Sequence, residues 1–152
     1  RDPRIAAARV RLEERLQDLA AAIRPRAEYA LVHGELGPDH VLVDADGNPV
    51  VVDIEGTMYF DVEWEHVFLR IRFADAYPAL AVDGLDEDRL ALYMLALRLS
   101  LTAGPLRLLD GGFPDRASMA DIAEHNLNEA LELVRLGSPA AGEVGRGTAC
   151  TP

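Results

Sequence analysis

The chain has 152 residues, 49% of them apolar and 6% aromatic, the composition of one ordinary globular domain with a core of its own. Its net charge of −11 argues against a nucleic-acid binder, which needs a basic face, while permitting a cationic ligand or simply conferring solubility. The one cysteine, Cys150, rules out a disulfide framework within the chain; no apolar run reaches about 18 residues and no signal-peptide pattern opens it, so no membrane span and a cytoplasmic location are expected.

The chain starts at Arg1 rather than Met, as expected of a piece of a longer protein, and every one of its 15 basic side chains is arginine. A mechanism that requires a lysine must therefore draw it from outside these residues.

In chain order, Ile5, Leu12, Leu16, Leu19 and Ile23 fall on one face of an amphipathic helix over 2–23, which Pro25 stops. A short apolar run, Tyr29 to Val32, leads into a loop, His33 to His40. Val41–Leu42–Val43 and Val50–Val51–Val52 flank an Asp46–Gly47 turn and predict a β-hairpin. An aromatic-rich helix is predicted over 61–74, carrying Trp64, Phe68 and Phe73. A second follows over 86–101: Leu90, Tyr93, Met94, Leu97 and Leu101 form one stripe and Leu92, Leu95 and Leu99 cover much of the rest, so it should be buried nearly all round. Gly111 to Pro114 reads as a loop, and Asp115 or Ser118 caps a last helix to about Leu136, ended by Gly137. The segment 138–152, rich in Gly, Ala and Pro, is expected to be disordered. The order predicts a mainly helical α+β domain over 1–137.

The hairpin also predicts a site. With the turn centred near Asp46–Gly47, Val41 lies opposite Asp53, so His40 and Asp53 become neighbours at the open end of the ribbon. His33, Glu35 and Asp39 lead into the same place, and Glu55 shares a face with Asp53 if the strand continues. Carboxylates gathered this way call for a neutralising divalent cation, and one that is not a ligand can act as a general base. Asp44 and Asp46 read as turn residues. An Asp that ends a Val-Val-Val strand has no packing or turn role to explain it.

The segment His33-Gly-Glu-Leu-Gly-Pro-Asp-His40, followed by a strand, a turn and Val-Val-Asp53-Ile-Glu55, resembles the aminoglycoside phosphotransferase family. That family has a protein-kinase-like fold and a catalytic loop of the form H-G-D-x-x-x-x-N, followed by a strand pair ending in I-D-[FW]-[DEG]. The resemblance is strong over roughly 28–74 and implies a kinase-like C-terminal lobe, with the hairpin carrying the catalytic loop. It implies that His33 braces the loop and that Glu35 stands at the catalytic Asp, which accepts the proton of a substrate hydroxyl. His40 would stand at the metal-binding Asn, and Asp53 at the Asp that bridges Mg2+ to nucleotide phosphates. Asp61 and Glu65 resemble a later G-D-P-x-x-D element and would support the loop. Glu55 would face metal or substrate. Mg2+ or Mn2+ is the implied ion, since imidazole at position 40 also suits manganese. ATP or GTP is the implied co-substrate.

Two departures stand out. Glu35 is one methylene longer than Asp, a displacement of about 1 Å that can cost on the order of a hundredfold. Kinase-type transfer also needs a phosphate-covering loop and a strand lysine. The 32 residues before His33 read as one helix with no lysine, so the nucleotide-binding N-terminal lobe is expected to lie outside this chain. The favoured reading is an ATP-dependent phosphotransferase acting on a hydroxylated small molecule, with the acidic residues around Asp53 suiting a cationic one. The others are a kinase-like binding module with weak or no catalysis, which Glu35 favours, and a metal-dependent hydrolase using His33, His40 and Asp53, against which the absence of helical H-x-x-x-H spacing counts.

Overall fold

The computed structural model describes residues 2–136, so Gly137, Cys150 and the expected disordered segment fall outside the described residues. The order of elements is α1 (Pro3–Ala22), β1 (Ala30–Val32), β2 (Val41–Val43), β3 (Pro49–Val51), β4 (Met58–Phe60), α2 (Val62–Phe73), α3 (Glu87–Asp110) and α4 (Arg116–Leu136). The fold is α+β and mainly helical. Short 3-10 turns occupy Pro38–His40, Ile54–Gly56 and Ala74–Ala79.

The Asp2 carboxylate accepts the Arg4 N–H at 2.8 Å and Pro3 opens the first turn, so α1 begins where local chemistry favours a start. It stops at Ile23, whose extended backbone runs on toward Pro25. The α4 start is similar: Asp115 accepts the Ser118 N–H at 3.1 Å, which makes Asp115 the capping side chain of the two candidates.

Helix α3 is the spine of the molecule, and its two apolar stripes serve two different cores. Ala91, Leu92, Leu95 and Leu99 pack with Ala8, Leu12, Leu16 and Leu19 of α1 and with Ala130, Leu131 and Val134 of α4. Leu90, Tyr93, Met94, Leu97 and Leu101 pack with Trp64, Val67, Phe68 and Ile71 of α2. A helix with apolar residues all round has to be covered on both sides, which explains how α1, α2 and α4 come to surround it. Helix α3 is also long and apolar enough to cross a membrane by length and composition. Here the same composition is the one that a helix between two cores requires.

Helix α3 runs nine residues past the predicted end at Leu101, through Gly104 and Pro105. Those residues signal a stop, since an interior proline costs about 3 kcal/mol. The expectation failed because Thr102 and Pro105 are buried, and tertiary packing overrides the local preference.

Two small antiparallel ribbons carry the rest. In one, β1 pairs with β4, with Leu31 opposite Tyr59. Strand β4 went unpredicted because no turn joins it to its partner, β1, which lies about 28 residues earlier in the chain. In the other, β2 pairs with β3, and Val41 stands opposite Val51 rather than Asp53. The reason is the turn. Asp44 N–H bonds Asn48 O at 3.0 Å and Gly47 N–H bonds Asp44 O at 3.1 Å, closing a loop centred on Asp46 with Gly47 at φ 87. This three-residue loop with glycine in the left-handed region moves the pairing by two residues. The Asp44 carboxylate caps the turn through the N–H groups of Asp46 and Asn48, at 2.9 and 2.8 Å.

Leu95 is 1% exposed, so Leu95→Ala should destabilise the chain by about 2–5 kcal/mol in urea unfolding. Val43, at 71% exposure, should tolerate alanine within about 0.5 kcal/mol.

Candidate active site

The loop between β1 and β2 is built by its backbone bonds. Glu65, in the first turn of α2, accepts the N–H of Gly34 at 2.8 Å and the N–H of Leu36 at 3.3 Å. The Trp64 indole N–H donates to Gly34 O at 3.0 Å. Residue 35 is therefore flanked on both sides by anchored peptide groups. Gly34 has φ 96, and a β-carbon on it would stand 3.1 Å from Gly56 O, so the loop turns there only because residue 34 is glycine. Glu35 itself is exposed.

His33 donates from Nε2 to Val52 O at 2.9 Å, tying the start of the loop to the end of the hairpin. A carbonyl only accepts, so this contact fixes the proton on Nε2. The His33 and His40 rings stack with centroids 5.4 Å apart. The Val52 N–H donates to His40 O at 2.9 Å, so His40 sits level with Val52 and one residue short of Asp53. Even with the shifted register, His40 Nε2 lies 3.4 Å from Asp53 Oδ2. Asp53 adopts φ 61 and ψ 44, a left-handed conformation that costs most residues and that Asp tolerates better than most. That backbone ends the strand and turns the Asp53 carboxylate toward His40.

The left-handed turn also removes the premise for Glu55. The strand does not continue past Val51, and 54–56 form a 3-10 turn, so the alternation that would set Glu55 on the face of Asp53 is broken. Glu55 is exposed.

Asp61 needs a second correction. It does not support the loop: its hydrogen bonds come from Arg89 and, at 2.5 Å, from the Tyr93 hydroxyl, with Arg26 3.6 Å away. Beside it, Glu63 is fully buried and takes a bidentate pair from Arg26, at 2.7 and 2.8 Å, plus the Asp86 N–H at 3.0 Å. Burial pushes the Glu63 carboxyl up, but these bonds outweigh it and hold it below its ordinary value. Arg89 also donates to Arg24 O. Together these contacts fasten the 24–26 crossing, the start of α2 and the start of α3 to one another. The acidic stretch 53–65 is thus divided: Asp61, Glu63 and Glu65 are engaged inside the fold, and only Asp53 and Glu55 remain open.

The sequence reading missed Arg26, Arg89 and Tyr93. The signal was present: Arg89 and Tyr93 are one helical turn apart in the apolar half of α3, where polar groups need a buried partner. His66 is also buried and meets the Tyr77 hydroxyl at 3.1 Å from Nδ1, with burial lowering its pKa. His125 lies 3.5 Å from Arg98. Both are away from the loop contacts described above.

Glu65→Ala should leave the Gly34 and Leu36 N–H groups unmet, costing about 1–3 kcal/mol. Hydrogen exchange should then quicken at those two amides before it does in the cores. Burial and the bond to Asp61 push Tyr93 up to about 12. An unfolded tyrosine ionises near 10, so the folded chain keeps a proton that the unfolded chain has lost between those values. Stability that this tyrosine contributes is complete below pH 10 and falls as pH rises toward 12; an ultraviolet titration should show Tyr93 ionising late, and earlier after Asp61→Asn.

No curated protein matches the sequence. A crystal structure of spectinomycin phosphotransferase, APH(9)-Ia, in complex with ADP and spectinomycin, is similar in fold, with a TM-score of 0.59 at 17% identity. The match covers 88% of this chain and 45% of that one, so the chain spans less than half the length of this relative. The APH family model, described as the phosphotransferase enzyme family, matches residues 1–99, which include the loop, the hairpin and the clamp from α2. The chain belongs to the APH phosphotransferase enzyme family.

Proposed function

We propose that this chain is the catalytic lobe of a nucleotide-dependent phosphotransferase that phosphorylates a hydroxyl of a small molecule. The observation that carries the reading is the meeting of His40 Nε2 and Asp53 Oδ2 at 3.4 Å, at the foot of the hairpin beside the clamped loop.

The pair fits a divalent cation. Two ligands about 2.1 Å from one ion and at right angles stand about 3 Å apart, close to the separation here. Among the described residues no group of three or more His, Cys, Asp or Glu side chains is arranged to hold a metal. Two protein ligands suit Mg2+ or Mn2+, which take their remaining positions from phosphates and water, and fall short of the three that a catalytic zinc uses. That weighs against the hydrolase reading. His40 and Asp53 would hold the cation, which when bound neutralises charge on the phosphate oxygens of the nucleotide.

Glu35 then takes the role of base. The acceptor oxygen attacks the terminal phosphorus, its proton passes to the Glu35 carboxylate, and the bond to the departing nucleoside diphosphate breaks. Peptide bonds on both flanks hold residue 35, so the extra methylene lengthens the reach of the side chain and leaves the loop in place. ATP as donor accords with the ADP in the similar structure, and GTP is the other donor. Glu35, Asp53 and Glu55 are exposed carboxylates of this region and suit a hydroxylated, cationic acceptor.

A nucleotide lobe is part of the proposal. Leu42, Val43, Val50 and Val51 leave the hairpin's outer surface apolar and 42–71% exposed, as a surface that another lobe covers would be. In the two-lobed protein, Glu35→Asp should preserve or raise the rate of phosphate transfer, and Asp53→Ala should abolish binding of the metal–nucleotide complex by calorimetry. Silencing by Glu35→Asp would remove residue 35 from the base role. Nucleotide binding without turnover on any hydroxylated amine would instead favour a binding module.

A further inference from the structure

Three loop residues, Gly37–Pro38–Asp39, lie between two fixed points. On one side Glu65 holds Gly34 and Leu36; on the other His40 O pairs with Val52 N–H. The His40 N–H closes the turn on Gly37 O at 3.0 Å. Arg72, from the last turn of α2, lies across it. Its guanidinium donates to Asp39 Oδ1. A β-carbon placed on Gly37 would stand 2.6 Å from Arg72 Nη2 and 2.7 Å from Nε. Gly37 has φ −136, which any residue adopts, and the atoms nearest such a β-carbon, Arg72 Nη2 and Nε and Asp39 Oδ1, are the ends of flexible side chains. The ion pair with Asp39 is the contact that places Arg72 on this turn.

The other oxygen of Asp39, Oδ2, stands 3.8 Å from His40 Nε2, the nitrogen that faces Asp53 Oδ2 at 3.4 Å. Two carboxylates thus contend for one imidazole nitrogen. A carboxylate bonded to Nε2 would cover the atom that has to face the cation.

We infer that Arg72 is a positioning residue of this site: by engaging Asp39 it withholds that carboxylate from His40 and leaves Nε2 free to share an ion with Asp53. The inference rests on the proposed cation site. The pair is exposed, with Arg72 and Asp39 side chains 40% and 63% accessible, so it adds little to global stability. Its consequence is local, in the way that a group behind a metal ligand governs affinity.

The test is Mn2+ titrated into the 152-residue chain, with free Mn2+ read by its electron paramagnetic resonance signal. Arg72→Ala should weaken Mn2+ binding roughly tenfold at an unchanged thermal midpoint. Arg72→Ala with Asp39→Asn should restore it, and Asp39→Asn alone should leave it as in the native chain. A weak double variant would mean that Arg72 only fastens the loop, and weakening by Asp39→Asn alone would make Asp39 a ligand; either overturns the inference. His40→Ala tests the site itself. If it abolishes binding while Arg72→Ala changes nothing, the inference fails and the site stands. If the native chain binds no Mn2+, both fall.

Discussion

One carboxylate, that of Glu65, accepts two backbone N–H groups of the loop between β1 and β2, and the geometry of the site follows from that contact. A loop of this kind has no ladder to satisfy its peptide groups, and unmet N–H groups away from water are costly. Glu65 meets two of them from a helix that is itself packed into a core through Val67 and Trp64. The loop thereby inherits the rigidity of α2. Trp64 and Glu65 are adjacent in sequence and take opposite ends of the same problem, one bonding the carbonyl of Gly34 and the other its N–H.

The helix that carries the clamp is in turn fixed by buried charge. Asp61 and Glu63, at its start, are paired with Arg89, Tyr93 and Arg26. Removing one member of such a set leaves the others charged and unsolvated, which costs several kcal/mol. These groups hold the start of α2 in one place relative to α3 and to the crossing before β1. Carboxylates that look alike in the sequence thus divide into two kinds. Those with arginine or backbone partners hold the frame, while others, such as Glu35, Asp53 and Glu55, stay exposed.

Much of the frame was legible. Apolar spacing gave α1 and the two stripes of α3, because burial imposes a helical period on any sequence that forms such elements. The Asp-Gly turn between valine runs gave the hairpin, and its spacing gave the approach of His40 and Asp53 at its foot. Most of what was not legible depended on contacts between distant residues. The length of α3 came from the burial of Pro105 and strand β4 from its pairing with β1, whereas the two-residue shift in hairpin register came from the local three-residue turn between Asp44 and Asn48. The fate of Asp61 was set by an arginine 28 positions away.

By itself the sequence determined which segments could be helix or ribbon, since propensity, period and turn chemistry act over a few residues. It also determined that His40 and Asp53 would meet at one end of a hairpin, since a ribbon has little choice once its turn is placed. Only the tertiary structure decided which carboxylates would be free. A charge is neutralised or left open according to what packs against it, and the partners that did so here, Arg26, Arg72 and Arg89, come from other elements of the chain.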